Sequence, residues 1–312
     1  MTSRSDDLAI VPSPVLVLVT LAALVFSQAG LLTTSPAVLA SVSAAILVVG
    51  LPHGTFDIAL LRRASGNGNG NGNGNGNGFG RHQTIALVAL YLLAAGLTYL
   101  VWQASALSAL AAFLVMAVVH FAEDWRACGS RFIASGIAAA IVTAPALLHR
   151  EMLAALFVTL SGDGRAAALA EVMLLAAPMA IAVAAVGAFM LFQSQRRAAA
   201  IALGCAVTAM IFLPPVFGFA LFFCLVHSPA QFRQHADELG LRNFSQWRGE
   251  VIPLTLGGLG IAALILLLTG GPMISTGLFV SSFMTLAVLT VPHMTIPLIV
   301  GHFRHARIRA TA

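Results

Sequence analysis

Four short polar clusters interrupt a sequence that is otherwise overwhelmingly apolar, and each carries one histidine. Pro52-His53-Gly54-Thr55-Phe56-Asp57 and His120-Phe121-Ala122-Glu123-Asp124-Trp125 each set an aspartate four residues after the histidine, which places both side chains on one face if a helix continues that far. Phe223-Cys224-Leu225-Val226-His227-Ser228-Pro229-Ala230-Gln231 and Val291-Pro292-His293-Met294 set the other two histidines among apolar neighbours. Imidazole and carboxylate together suit a metal centre. A ligating histidine usually gives its second ring nitrogen to a carboxylate, so Asp57 and Asp124 can brace their own or a neighbouring histidine. Two histidines and a carboxylate can also bind iron directly, so spacing alone leaves both roles open for the aspartates.

The elements that must position these clusters are membrane helices. Hydrophobic residues make up 59% of the 312 and charged residues only 9%, a balance far from that of a soluble domain. Apolar runs long enough to span a bilayer predict an all-α, polytopic bundle of about ten transmembrane helices, near 11–28, 36–61, 84–102, 105–124, 132–148, 168–192, 198–213, 214–232, 251–269 and 275–301. The whole chain, 1–312, reads as one membrane domain. Residues 66–78 alternate Gly and Asn, offer no apolar face and read as a flexible linker. The first run is too long for a secretory signal and lacks a clear small-residue cleavage site, so it reads as a retained helix. Pro214-Pro215 divides the stretch 198–231 into two helices.

All sixteen basic residues are arginine, and most lie between apolar runs. With the amino terminus inside, the ten-helix topology leaves only Arg150 and Arg165 outside, as expected for an inner-membrane protein with both termini cytoplasmic. Nine helices would put the carboxy-terminal basic cluster on the wrong side. The formal charge of +5 is explained by topology, and with no basic stripe of interleaved aromatics a nucleic-acid partner is excluded. The same topology puts His53, His120, His227 and His293 towards the cytoplasmic ends of even-numbered helices, at one depth, where side chains from separate helices can converge on a metal.

Ionisable groups inside spans are costly and by default functional. His82, His149, His302 and His305 sit at helix ends or in the basic tail and read as interfacial; His235, two turns after His227, is a weaker candidate ligand. Phe217, Phe219, Phe222 and Phe223 read as core or lipid-facing residues, some of which can line a substrate passage. Cys128, Cys205 and Cys224 have no CxxC spacing and give no disulfide framework.

At the four clusters the sequence resembles the Brp/Blh family of membrane β-carotene 15,15′-dioxygenases, which occur beside microbial rhodopsins and in carotenoid-producing bacteria. The likeness rests on Leu51-Pro52-His53-Gly54 with Asp57, His120-Phe121 with Glu123-Asp124, Phe223-Cys224 with His227-Ser228-Pro229, and Pro292-His293-Met294, in that order along most of the chain. It implies that molecular oxygen and histidine-bound iron, Fe(2+), cleave the central double bond of β-carotene to two molecules of retinal, which links the protein to a retinal-using rhodopsin. His53, His120 and His227 match family ligands. Where the family carries a further histidine four residues after the His-Ser-Pro histidine, this chain has Gln231, whose amide oxygen is a weaker ligand than imidazole. Three histidines with an open position, a fourth nitrogen from His235 or His293, and an altered substrate or activity all remain open, with three histidines and a nearby Gln231 the favoured expectation.

An enzyme with its metal among membrane helices can receive a polyene sideways from the lipid bilayer. Competing readings are a lipid hydroxylase or desaturase, which would carry paired HxxxH and HxxHH boxes absent here, a proton-coupled transporter using the intramembrane His and Asp residues, and a haem protein with axial histidines.

Overall fold

The computed structural model describes residues 11–60, 81–269 and 274–311; within these, the side chains of 53, 81, 83, 250, 274–275 and 296–311 lie outside the described set. The Gly-Asn segment 66–78 also lies outside it. Every regular element among the described residues is helical. The helices are α1 (Ser13–Gln28), α2 (Pro36–Gly54), α3 (Arg81–Ala104), α4 (Ala106–Phe121), α5 (Arg131–Thr143), α6 (Ala146–Ser161), α7 (Ala167–Gln193), α8 (Arg197–Phe212), α9 (Pro215–Phe222), α10 (Ser228–Leu239), α11 (Phe244–Thr269) and α12 (Ile274–Thr311). A 3-10 stretch, Ala122–Cys128, prolongs α4, and a π-helical turn, Phe223–His227, joins α9 to α10.

Among the described residues seven helices are long and apolar enough to cross a membrane, an eighth span is formed if α5 and α6 count as one bent pair, and α1 and α8 are shorter apolar helices. Together they account for the ten apolar runs of the sequence. The protein is thus an all-α polytopic bundle. One boundary differs from expectation. The run 132–148 stops at Thr143, and a second helix carries on to Ser161 after a 65° bend. Pro145 lacks an N–H and clashes with the preceding turn, which explains the break; Gly162, at φ +68°, closes the second helix in a left-handed conformation that glycine adopts without cost.

Helix α2 lies at the centre, touching α9, α10, α11 and α12, while α5, α6, α7 and α8 pack as a neighbouring group. Small residues permit the close approaches, as in other membrane bundles. A Cβ on Gly50 of α2 would lie 2.3 Å from the Phe223 ring, and one on Gly136 of α5 would lie 2.2 Å from a Val183 methyl. The outward surface is apolar: Leu175 on α7 is 83% exposed and Leu267 on α11 81%. Such side chains are at no disadvantage against hydrocarbon. Buried polarity is concentrated instead around the histidine clusters.

Candidate metal centre and its cavity

Each polar cluster sits where a helix loses regularity. In α2, Pro52 weakens the last turn, Thr55 Oγ1 donates to the Pro52 carbonyl at 2.7 Å, and the chain turns before a short helical segment at 57–60. Asp57 is therefore re-aimed, away from the simple i,i+4 alignment with His53. In the same way α4 tightens to 3-10 geometry at Ala122, which redirects Asp124 relative to His120. Between α9 and α10 the Ser228 N–H reaches back to the Phe223 carbonyl, an i→i−5 bond just ahead of Pro229, which has no N–H to give. The extra residue turns His227 by about 100° relative to a continuous α-helix.

These irregularities bring three of the four singled-out histidines together. The His120 ring centroid lies 4.8 Å from that of His227 and 5.0 Å from that of His293, both edge to face. His53 belongs to α2, but its side chain lies outside the described residues. Both aspartates brace histidines of other helices. His227 Nδ1 lies 2.7 Å from Asp124 Oδ2, and His293 Nδ1 lies 2.7 Å from Asp57 Oδ2. With carboxylates as acceptors, each Nδ1 donates its N–H, which turns Nε2 towards the other side of the ring.

Gln231 completes one of these pairs. Its Nε2 donates to Asp124 Oδ1 at 2.7 Å, so both oxygens of this buried carboxylate have a donor. On the other pair the Tyr91 hydroxyl lies 3.3 Å from Asp57 Oδ2 and 3.3 Å from the Leu289 carbonyl. Both aspartates are nearly inaccessible, at 3% and 4%. A buried carboxylate persists only with strong hydrogen-bond partners, and these are histidine, glutamine and tyrosine. His235 instead faces the ring of Phe56 at 6.5 Å. Tyr91 was not singled out from sequence. Its signal was there: one of only two tyrosines in the chain, it sits within an apolar span, where a hydroxyl needs a partner.

A cavity of about 300 Å³ adjoins the cluster. His120 and His293 stand in its wall with Tyr91, and most of the remaining lining is aliphatic or aromatic, including Phe219 and Phe223. Gly54, Gly257 and Gly258 contribute no side chains and so leave room. Leu92, which lines the cavity from α3, is itself 52% exposed, so this side of the cavity lies one side chain from the bundle's outer surface. The arrangement can hold an apolar molecule against imidazoles in a site poor in water.

Among the described residues, as they stand, no three His, Cys, Asp or Glu side chains form a group able to hold a metal ion. The chemistry of the set nonetheless suits one: several imidazoles on separate helices, two of them oriented by carboxylates, match the usual outer support of metal-binding histidines. The cysteines Cys128, Cys205 and Cys224 are free.

A family model described as Beta-carotene 15,15′-dioxygenase matches residues 44–299, a span that includes all four histidine clusters. Comparisons with curated proteins and with solved structures gave no match.

Proposed function

The chain belongs to the β-carotene 15,15′-dioxygenase family, and on that premise we propose that it is an iron-dependent oxygenase cleaving β-carotene at its central double bond with molecular oxygen, to give two molecules of retinal. The observation that carries the proposal is the meeting of His120, His227 and His293, two of them braced by buried aspartates, beside an apolar cavity walled on one side by the exposed Leu92. His53, His120 and His227 are the proposed ligands. The 5.0 Å approach of His293 to His120 supports His293 as the fourth, in place of the histidine that Gln231 replaces. Gln231 then acts as a positioning residue through Asp124.

Bound iron(II) would supply the activation of oxygen, as in other non-haem iron enzymes. The protein's own part is steric and electrostatic. Asp124 and Asp57 hold their imidazoles in one tautomer, and the apolar lining excludes water and presents the polyene to the histidines. The distribution of arginines supports cytoplasmic termini in the inner membrane. Retinal released there would be available to a retinal-binding rhodopsin in the same bilayer.

Expression in a bacterium that accumulates β-carotene provides the test. The expected result is bleached cells containing retinal, with both effects lost in His120→Ala. Orange cells without retinal, despite folded protein in the membrane and ample iron, would overturn the proposal.

A further inference from the structure

A second void lies directly behind the first. It measures about 110 Å³, and every residue lining it is apolar. It arises where the 65° bend at Pro145 swings α6 away from α5, leaving space that α4, α9 and α12 do not fill. Protein interiors are close-packed and hold few voids larger than a water molecule, and an apolar space of this kind has no polar partner to retain water. The two spaces share a wall made of Phe113, Ala117, Phe121 and Phe219. His120 lies on the same helix as three of these, adjacent to Phe121 and three residues after Ala117, so the histidine cluster sits beside the partition rather than at either far end.

A run of aromatic rings connects the cluster to the second void. Phe223 stacks on His227 at 5.3 Å, Phe219 stacks on Phe223 at 5.1 Å, Phe283 follows at 5.7 Å from Phe219, and Phe279 lies 5.0 Å beyond. Phe219 borders both spaces, and Phe279 and Phe283 border the second. Flat polarisable faces along such a path favour an extended conjugated chain. The first cavity alone is at the lower limit of ordinary small-ligand pockets, roughly 300–1,000 Å³.

We infer that the two spaces are the arms of one polyene site, with the void behind Phe121 and Phe219 taking one end of the substrate and the cavity beside Tyr91 taking the other. The inference rests on the polyene-cleaving reading. It deepens it by assigning a position to each half: a chain threaded across the partition presents an interior bond, not a terminal one, to His120. The aromatic side chains of the partition turn aside to join the arms when a substrate enters.

Binding, measured without turnover, tests this. Metal-free protein in lipid nanodiscs is titrated with β-carotene and with an apocarotenal that keeps one ring and lacks the other end, following the absorbance shift of the bound polyene. Val142→Phe and, from another helix, Leu114→Phe each project a ring into the second void, remote from the histidines. The expected result is a loss of β-carotene affinity of roughly fivefold or more, the lower end of what such overfilling costs, with apocarotenal affinity changed by less than about twofold. Equal weakening of both ligands in both variants would mean general damage and would overturn the inference. So would no change in either, which would mean that the void holds bilayer acyl chains or nothing. Wild-type protein that binds β-carotene with this pattern but makes no retinal in cells would sink the activity and leave the two-armed site standing. Wild-type protein that binds no polyene would sink both.

Discussion

Asp124 holds two side chains at once, so the residue that replaces a family histidine retains a defined task. Gln231 saturates the carboxylate oxygen that His227 does not use. Gln231→Ala leaves that buried oxygen without its donor, at a cost of about 1–3 kcal/mol, and loosens the brace on His227. At the proposed iron site, affinity for iron is expected to fall about 10–100-fold, the usual effect of removing an outer partner, whereas His227→Ala is expected to abolish binding. Metal analysis across a dilution series separates the two outcomes. Gln231→His keeps an N–H for Asp124 and should retain iron. Tyr91→Phe removes one hydroxyl proton that has two acceptors at 3.3 Å, a contact long enough that the loss should stay within about 1 kcal/mol. A thermal unfolding shift larger than that of Gln231→Ala would show Asp57 to depend on Tyr91 more than its geometry implies. At this level the sequence named residues that the structure brings together, His120, His227 and His293 with Asp57 and Asp124, and was silent about who pairs with whom. The i,i+4 spacing of His53 with Asp57 and of His120 with Asp124 left each aspartate open to its own or a neighbouring histidine, and the observed partners are His293 and His227, because Pro52 and the 3-10 stretch re-aim both carboxylates.

The helices that deliver these groups owe their fit to a few small positions. Gly50 admits the Phe223 ring, and Phe223 stacks on His227 at 5.3 Å. Gly50→Ala would drive a methyl into that ring, costing about 1–3 kcal/mol by overpacking and displacing the imidazole. Gly96→Ala on α3 meets nothing within 4 Å, and is expected to be neutral or to stabilise by up to about 1 kcal/mol through helix propensity. Thermal unfolding in detergent, with iron content measured alongside, should show the contrast. A Gly50→Ala protein as stable and as iron-rich as the wild type would refute the assigned contact. Apolar length located nearly every helix, since a bilayer demands it. The bend at Pro145 was not foreseen, because the apolar run 132–148 stops where His149, Arg150 and Glu151 begin. In the structure Arg150 lies on the bundle's exterior and reaches Glu171 of α7 at 3.4 Å. The π-helical turn left no periodic trace either, Pro229 being its only herald.

Taken whole, the bundle turns many large aliphatic side chains outward while burying Asp57, His120, Asp124, His227 and Gln231. The orientation proposed from the arginine pattern is one that chemical labelling can check. Gly164→Cys, in the α6–α7 connection, should react with a membrane-impermeant thiol reagent on cells with a permeable outer layer and an intact inner membrane. Gly249→Cys, on α11 near its start, should react only after the inner membrane is opened. Neither position has an atom within 4 Å of the added Cβ, so both variants should fold; the reverse labelling pattern would invert the topology. Entry past Leu92, which separates the cavity from the bundle's outer surface, would have a kinetic consequence. A substrate that arrives from the side is metered by its mole fraction among lipids, not by its amount per volume of cell. Doubling the inert lipid in a reconstituted vesicle at fixed pigment should therefore slow a subsaturated enzyme as surely as halving the pigment, and growth of the membrane would act as a brake on retinal supply.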